Sequence, residues 1–187
     1  MGMINKPANW DTIEENEVAE GLKMEVGPQP AQIKAVIDHP DKEYIELQFD
    51  IVQGKYKDYF KNMFDRMEIE KWPNQGIYRA SYKETATTMF KAVITAIQKS
   101  NQGYVWNWDP QSLKGKYMVV VYGEEEYEYN GDVLTAVKPR SIRSIEAWKK
   151  GDIATPQLKK LKKRETQTNP FATNNFNNNI SNDDLPF

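Results

Sequence analysis

The sequence of 187 residues contains no cysteine, a single histidine (His39) and no apolar run near the roughly 20 residues that a membrane helix needs. Without cysteine, a disulfide framework, a thiolate nucleophile and a cysteine-ligated metal centre are excluded. A single histidine excludes a multi-histidine metal site and the histidine-dependent catalytic triads. These absences favour a binding protein over an enzyme, and we expect no cofactor.

The N-terminus, MGMINKPANWDTIEEN, is acidic and lacks the apolar stretch of a signal peptide. Hydrophobic residues make up 39 % of the chain, which is enough for a core but low for a chain that is packed throughout. We therefore expect a cytoplasmic protein that does not enter a membrane and that is folded over only part of its length.

The formal net charge of −2 hides an uneven distribution of charge along the chain. Residues 1–30 carry two bases and six acids, residues 31–164 carry 23 bases and 18 acids, and residues 165–187 carry three acids and no base. A middle segment of net charge +5 thus lies between two acidic ends. Unevenness of this kind occurs on many surfaces, but it also suits a core that binds nucleic acid.

The same boundaries give the predicted organisation: an acidic lead-in (1–30), a folded domain (31–164) and a tail (165–187). The tail holds seven asparagines and almost no aliphatic residues before its end. Such a segment buries too little apolar surface to offset the entropy of ordering, which predicts a disordered tail.

The last five residues of the chain form an acidic and apolar tip, Asp183-Asp184-Leu185-Pro186-Phe187. A phenylalanine can fill an apolar pocket while the acids meet lysine or arginine, and the proline limits the entropy lost on binding. The sequence therefore predicts a partner-docking peptide at the end of the tail.

Hydrophobic alternation and turn residues predict five strands in the folded domain, over 32–38, 44–51, 55–60, 117–122 and 133–142. Met89, Val93 and Ile97 recur at helical spacing, which predicts a helix over 83–100, and a short helix is expected around 144–150. The order strand-strand-strand-helix-strand-strand is that of the OB-fold. We therefore predict a mainly β protein with one core helix and an OB-fold-like five-stranded barrel.

One face of the predicted third strand combines bases with an aromatic ring: Lys55, Lys57, Tyr59 and Lys61. Lysines bind phosphates and an aromatic ring stacks on unpaired bases, so this face favours binding of single-stranded nucleic acid. The alternative is a lysine-rich face that only prevents pairing with other sheet edges.

Further candidate contacts to nucleic acid lie downstream, in the connection after the third strand and in the fifth strand: Arg66, Trp72, Arg79, Tyr82, Lys138, Arg140 and Arg143. For Trp72 and Tyr82, packing into the core is an equal alternative. Trp106 and Trp108 are expected to plug one end of the barrel. The acids from Glu124 to Glu128 raise the alternative of a divalent metal site, although solvated acids in a hairpin are far commoner.

Two parts of the chain resemble known families. The tip resembles the C-terminal Asp-Asp-Asp-Ile-Pro-Phe peptide of bacterial single-stranded DNA-binding proteins. Residues from about 10 to 163 resemble a family of small single-stranded DNA-binding proteins of phages and prophages of Gram-positive bacteria. The segments that carry this second resemblance are FDIVQGKY (49–56), SYKE (81–84), WNWD (106–109), LKGK (113–116) and GEEEY (123–127).

The resemblance implies a protein that coats single-stranded DNA during phage replication or recombination, in the cytoplasm of the host cell. It also implies that the tip recruits replication or recombination proteins. Two other hypotheses stay open: a metal-dependent structure-specific nuclease, and a protein-interaction adaptor that does not bind nucleic acid. The sequence also leaves self-association open.

Overall fold

The computed structural model describes residues 23–67 and 70–161 of the chain. Within them the chain forms, in order, β1 (Gly27–His39), β2 (Tyr44–Ile51), α1 (Tyr59–Met67), β3 (Ile77–Ser81), α2 (Thr87–Ser100), β4 (Tyr117–Tyr129), β5 (Asp132–Arg143) and α3 (Ile145–Lys150). None of the helices in these two ranges is long and apolar enough to cross a bilayer. The predicted tail, the tip at 183–187 and residues 1–22 of the predicted lead-in lie outside the described residues.

The strands form one open antiparallel sheet in the order β3-β2-β1-β4-β5. β1 lies at its centre, pairing with β2 along one edge and with β4 along the other. β4 and β5 form a long hairpin, and both turn residues, Asn130 and Gly131, have the positive φ that a tight hairpin turn requires. The prediction of a mainly β protein is confirmed, and four of its five strands overlap the predicted ones.

The core lies against one face of this sheet. Alternate residues of β2 point into it, and Ile45, Leu47, Phe49 and Ile51 are at most 1 % exposed. α2 packs Val93 and Ile97 onto the same core, as their helical spacing predicts, whereas Met89 of the predicted stripe is 61 % exposed. The opposite face of β2 carries the polar residues Glu46, Gln48 and Asp50, of which Glu46 and Asp50 are also buried.

The prediction of a third strand over 55–60 is wrong. Residues 55–58 form turns, and α1 begins at Tyr59. Tyr56 and Phe60 are buried, as expected, but their spacing of four residues suits a helical turn as well as a strand. The third strand of the sheet is instead Ile77–Ser81, within the region predicted as a connection.

A buried carboxylate determines where α1 begins. Asp50, at the end of β2, is 0 % exposed. It accepts hydrogen bonds from the backbone N–H groups of Phe60 (3.0 Å) and Lys61 (3.0 Å), and a third from Ile51 (2.8 Å). N–H groups in the first turn of a helix have no partner within the helix, so a carboxylate that faces them stabilises the helix at this point.

The two edge strands lie close together without pairing in the described residues. Gln75, just before β3, donates its side-chain N–H to the carbonyl of Val137 in β5 (2.9 Å). Its own carbonyl accepts a hydrogen bond from the buried hydroxyl of Tyr122 (2.8 Å). These contacts leave a groove between β3 and β5 in place of a continuous ladder.

The role of Asp50 predicts a large loss of stability on its removal. We expect Asp50→Ala to lower the free energy of unfolding by about 2–4 kcal/mol, because it leaves buried N–H groups without an acceptor. Asp65→Ala is the matched control, since this carboxylate lies on the exposed side of α1 and pairs there with Lys61. Urea unfolding measures both, and an equal small effect would contradict the assigned role.

Candidate nucleic-acid interface

The four residues predicted to share a strand face lie in a turn and in α1, and not on a strand. Lys55 lies in the turn before α1 and forms an ion pair with Glu25. Lys57 is exposed in the same turn. Lys61 lies in α1, where its ammonium group is 2.6 Å from the carboxylate of Asp65. The expected face is wrong because the segment is a turn followed by a helix.

Tyr59, the aromatic member of that set, packs into the protein. Its ring lies edge-on against Tyr56 (5.8 Å between centroids) and Phe60 (5.2 Å). Burial, and to a lesser extent the neighbouring Tyr56, raises the pKa of the Tyr59 hydroxyl. Tyr59 is therefore half-buried and packs against the core.

Trp72 and Tyr82 also make packing contacts, the alternative that the sequence left open. The indole N–H of Trp72 donates to the carbonyl of Phe49 (3.1 Å). The hydroxyl of Tyr82 donates to Asp38 (3.0 Å), and its ring lies edge-on against Phe90. Trp72 and Tyr82 thus fix the segments before and after β3 to the core.

Arg66 is exposed in the last turn of α1. Arg140 lies in β5 at a break in the pairing with β4, beside Gly123. A Cβ at position 123 would approach the Arg140 side chain to 2.9 Å, so the glycine allows this close contact. The buried Nη1 atom of Arg140 has no hydrogen-bond partner in the described part of the chain. Neither arginine lines the groove between the edge strands.

The structure brings Arg79 and Lys138 to one groove, which we call the β3–β5 groove. It encloses about 510 Å³, and its walls include Asn74, Gln75, Tyr78, Arg79, Val137 and Lys138. Arg79 comes from β3 and Lys138 from β5, almost 60 residues apart in the sequence. Among the residues predicted to contact nucleic acid, Arg79 and Lys138 line the same groove.

Charge in the β3–β5 groove is balanced only in part. The Arg79 guanidinium bonds to the largely buried carboxylate of Glu46 (3.1 Å), which fixes its direction on the outer face of the sheet. Arg143, at the end of β5, is close enough to oppose the rise in the pKa of the Tyr78 hydroxyl that burial causes. The groove therefore combines two bases, Arg79 and Lys138, with Tyr78, whose ring packs against the core.

The backbone of β5 explains why this edge remains open. β5 pairs with β4 along one side, and its other side borders the groove. Pro139 has no N–H group to donate, so it disfavours pairing along this edge with another strand. The sequence of β5 therefore helps to keep the groove open, because Pro139 disfavours a further strand at this edge.

A second basic cavity, missed from the sequence, lies where α2 meets β5. It encloses about 400 Å³, and Lys91, Lys99 and Arg143 contribute to its walls. Lys91, Thr95 and Lys99 follow one another at intervals of four residues along α2. This spacing can be read from the sequence and places all three residues on one side of a helix. The basic side of α2 could therefore have been predicted.

The two tryptophans before β4 differ in environment. Trp106 packs against the core, with its ring edge-on to Phe90 (6.5 Å between centroids). Trp108 is 79 % exposed. Packing against the core is therefore observed for Trp106 but not for Trp108, where the backbone has a positive φ.

The acids of the hairpin bind the segment 158–161, which we call the strap. Its backbone pairs with the free edge of β4, from Lys159 N to Glu124 O (3.0 Å) and from Glu126 N to Lys159 O (2.9 Å). The Lys159 ammonium is 2.7 Å from the Glu125 carboxylate, and Lys138 is 3.8 Å from it. Across residues 23–67 and 70–161, no group of three or more acids or histidines is arranged to hold a metal ion.

The strap should respond to acid. The hydrogen bond from Lys159 lowers the pKa of the Glu125 carboxyl below its usual value of 4.5, with smaller help from Lys138 and Arg140 and opposition from burial. The pairing thus adds stability above pH 4.5, and this stability is lost as the pH falls through the lowered pKa. A carboxyl NMR titration of Glu125 should show the lowered value, and Lys159→Gln should return it toward 4.5. An unchanged pKa in that variant would contradict the pairing.

Comparison with known proteins did not identify a family for this chain. No protein-family model matches the chain, and no curated protein matches it. The resemblance to phage single-stranded DNA-binding proteins therefore stays a prediction, and the functional conclusion rests on the residues and geometry of the site.

Proposed function

We propose that this protein binds single-stranded DNA along the β3–β5 groove, as a binding protein and not an enzyme. The observation that carries the proposal is the meeting of Arg79 from β3 and Lys138 from β5 at one groove, which Tyr78 also lines. Bases of this kind contact phosphates, and an aromatic ring offers a surface for an unpaired base.

The topology of the sheet supports the proposal. β1 pairs with both β2 and β4, and α2 lies between β3 and β4 in the chain. We propose that this is an OB-like fold whose barrel is left open between β3 and β5. Folds of this class bind oligonucleotides across the second and third strands and the neighbouring loops. Arg79 in β3 and the outer face of β2 lie in that position.

Selectivity for a single strand follows from the chemistry of the groove. An aromatic ring can stack on a base only when the base is not already stacked and paired in a duplex. Phosphate contacts alone would serve either form of DNA. The combination of Tyr78 with flanking bases therefore favours exposed strands, such as those formed during replication or recombination.

The groove predicts a specific loss of salt dependence. On single strands, the slope of log K against log salt is about −0.7 per phosphate contact. Replacing Arg79, Lys138 and Arg143 together by glutamine should therefore flatten the slope for oligo-dT by up to about 2. Fluorescence titration over a range of salt concentrations measures the slope.

The matched control replaces Lys55, Lys57 and Lys61 by glutamine, which removes the same charge from the turn and from α1. We expect the slope of this variant to remain close to that of the unmodified protein. Equal flattening in both variants would show that only total charge matters. Failure of the unmodified protein to bind oligo-dT, or equal affinity for a duplex, would overturn the proposed function.

We also propose that the tip at 183–187 recruits replication or recombination proteins, on the basis of its acidic and apolar composition. Deleting Phe187 should abolish recruitment of such a partner and leave oligo-dT affinity unchanged or slightly higher, because the acids compete with DNA for basic residues. Co-purification with host replication proteins and an oligo-dT titration measure the two effects separately. Recruitment that survives the deletion would contradict the assignment, and weaker DNA binding would contradict the competition.

A further inference from the structure

We propose that Trp108, with Trp106 and Lys91, forms a second subsite that stacks an unpaired base, on the α2 side of the protein. The inference rests on the proposed function, because it adds a contact for the same single strand. It assigns a role to a tryptophan that the fold leaves in solvent.

The subsite is a cleft of about 490 Å³ between α2 and the loop before β4. Its walls include Phe90, Lys91, Thr95, Gln98, Trp106 and Trp108. The Trp106 and Trp108 ring centroids are 6.3 Å apart, with the planes inclined at 55°. The two rings therefore form an angled aromatic surface in a cleft that a lysine also lines.

Trp108 is the most exposed of the large hydrophobic residues in the described part of the chain, at 79 %. Burying a tryptophan is among the most favourable contributions that a side chain makes to folding. The Trp108 ring contributes little to folding in this way, because most of it is exposed. The backbone φ of 65° is uncommon for a residue other than glycine, asparagine or aspartate. An exposed ring on a fixed turn is available to a ligand.

The turn that carries Trp108 is held on both sides. The Asn107 side chain accepts a hydrogen bond from the backbone N–H of Asp109 (3.2 Å). The Asp109 carboxylate in turn accepts one from the N–H of Gln111 (3.0 Å), at the start of the short helical turn Pro110–Leu113. The ring is thus presented from a defined backbone, which lowers the entropy lost on binding.

The charges nearby favour an anionic ligand over an apolar peptide. Lys91 and Thr95 line both this cleft and the neighbouring cavity, where Lys99 and Arg143 also lie. Basic residues therefore extend from the tryptophan cleft into the neighbouring cavity at the end of β5. A nucleic-acid strand supplies both the base for the ring and the phosphates for this row.

The test compares oligo-dT binding by Trp108→Ala and Trp108→Phe with that of the unmodified protein. Stacking on an aromatic ring contributes about 1–3 kcal/mol per base, so alanine should weaken binding by about 5- to 150-fold. Phenylalanine should restore part of the affinity, because it keeps an aromatic face. Because Trp108 is exposed, urea unfolding should confirm that both variants fold.

Val105→Ala is the matched control, since Val105 is 74 % exposed in the same loop but does not line the cleft. Unchanged affinity for this variant, together with the loss in Trp108→Ala, would support the subsite. If the unmodified protein binds oligo-dT and Trp108→Ala binds it equally well, the subsite is wrong while the proposed function stands. If the unmodified protein does not bind oligo-dT, both fail. A protein ligand lost in Trp108→Ala at unchanged DNA affinity would also overturn the subsite.

Discussion

The buried carboxylate of Asp50 is the interaction on which the arrangement of the edge strands depends. By accepting the N–H groups of Phe60 and Lys61, it begins a helix directly after β2, where a hairpin would otherwise return the chain to the sheet. The chain then passes Trp72, whose indole bonds back to β2, before β3 starts. The edge strand β3 therefore begins 26 residues after the end of β2, and the segment that leads into it is held against the core by Trp72.

The contacts of the segment that leads into β3 explain the gap between β3 and β5. The chain enters β3 through Gln75, which bonds to β5 with its side chain and to Tyr122 with its carbonyl. Just after Gln75, Gly76 lies so close to Trp72 and Phe60 that a Cβ there would meet them at 2.6 and 2.8 Å. The start of β3 is thus held at a set distance from β5 by one amide side chain and by close packing.

The parts of the fold that the sequence predicted are those in which a local period is unambiguous. In β2, hydrophobic and polar residues alternate over eight positions, and in α2 the apolar residues follow a helical period over fourteen. At 55–60, the spacing of Tyr56 and Phe60 fits both periods, and the capping acid lies in the preceding strand, beyond the reach of local capping rules. The meeting of Arg79 with Lys138 depends on sheet curvature, which no local pattern contains. Lys91 and Lys99, by contrast, could be found from their spacing.

The low net charge is compatible with nucleic-acid binding because Glu125, the hairpin acid nearest Lys138, is already paired within the protein. Lys159 lies 2.7 Å from Glu125, whereas Lys138 lies 3.8 Å from the same carboxylate and 5.8 Å from the Tyr127 ring. The strap thus provides the closer counter-ion for Glu125, and Lys138 is held only loosely, at an exposed position bordering the groove. Moving Lys138 to a phosphate would leave Glu125 paired, so little stability is lost on binding. If the groove binds DNA as proposed, the basic segment after β5 would contribute indirectly, by neutralising an acid close to Lys138.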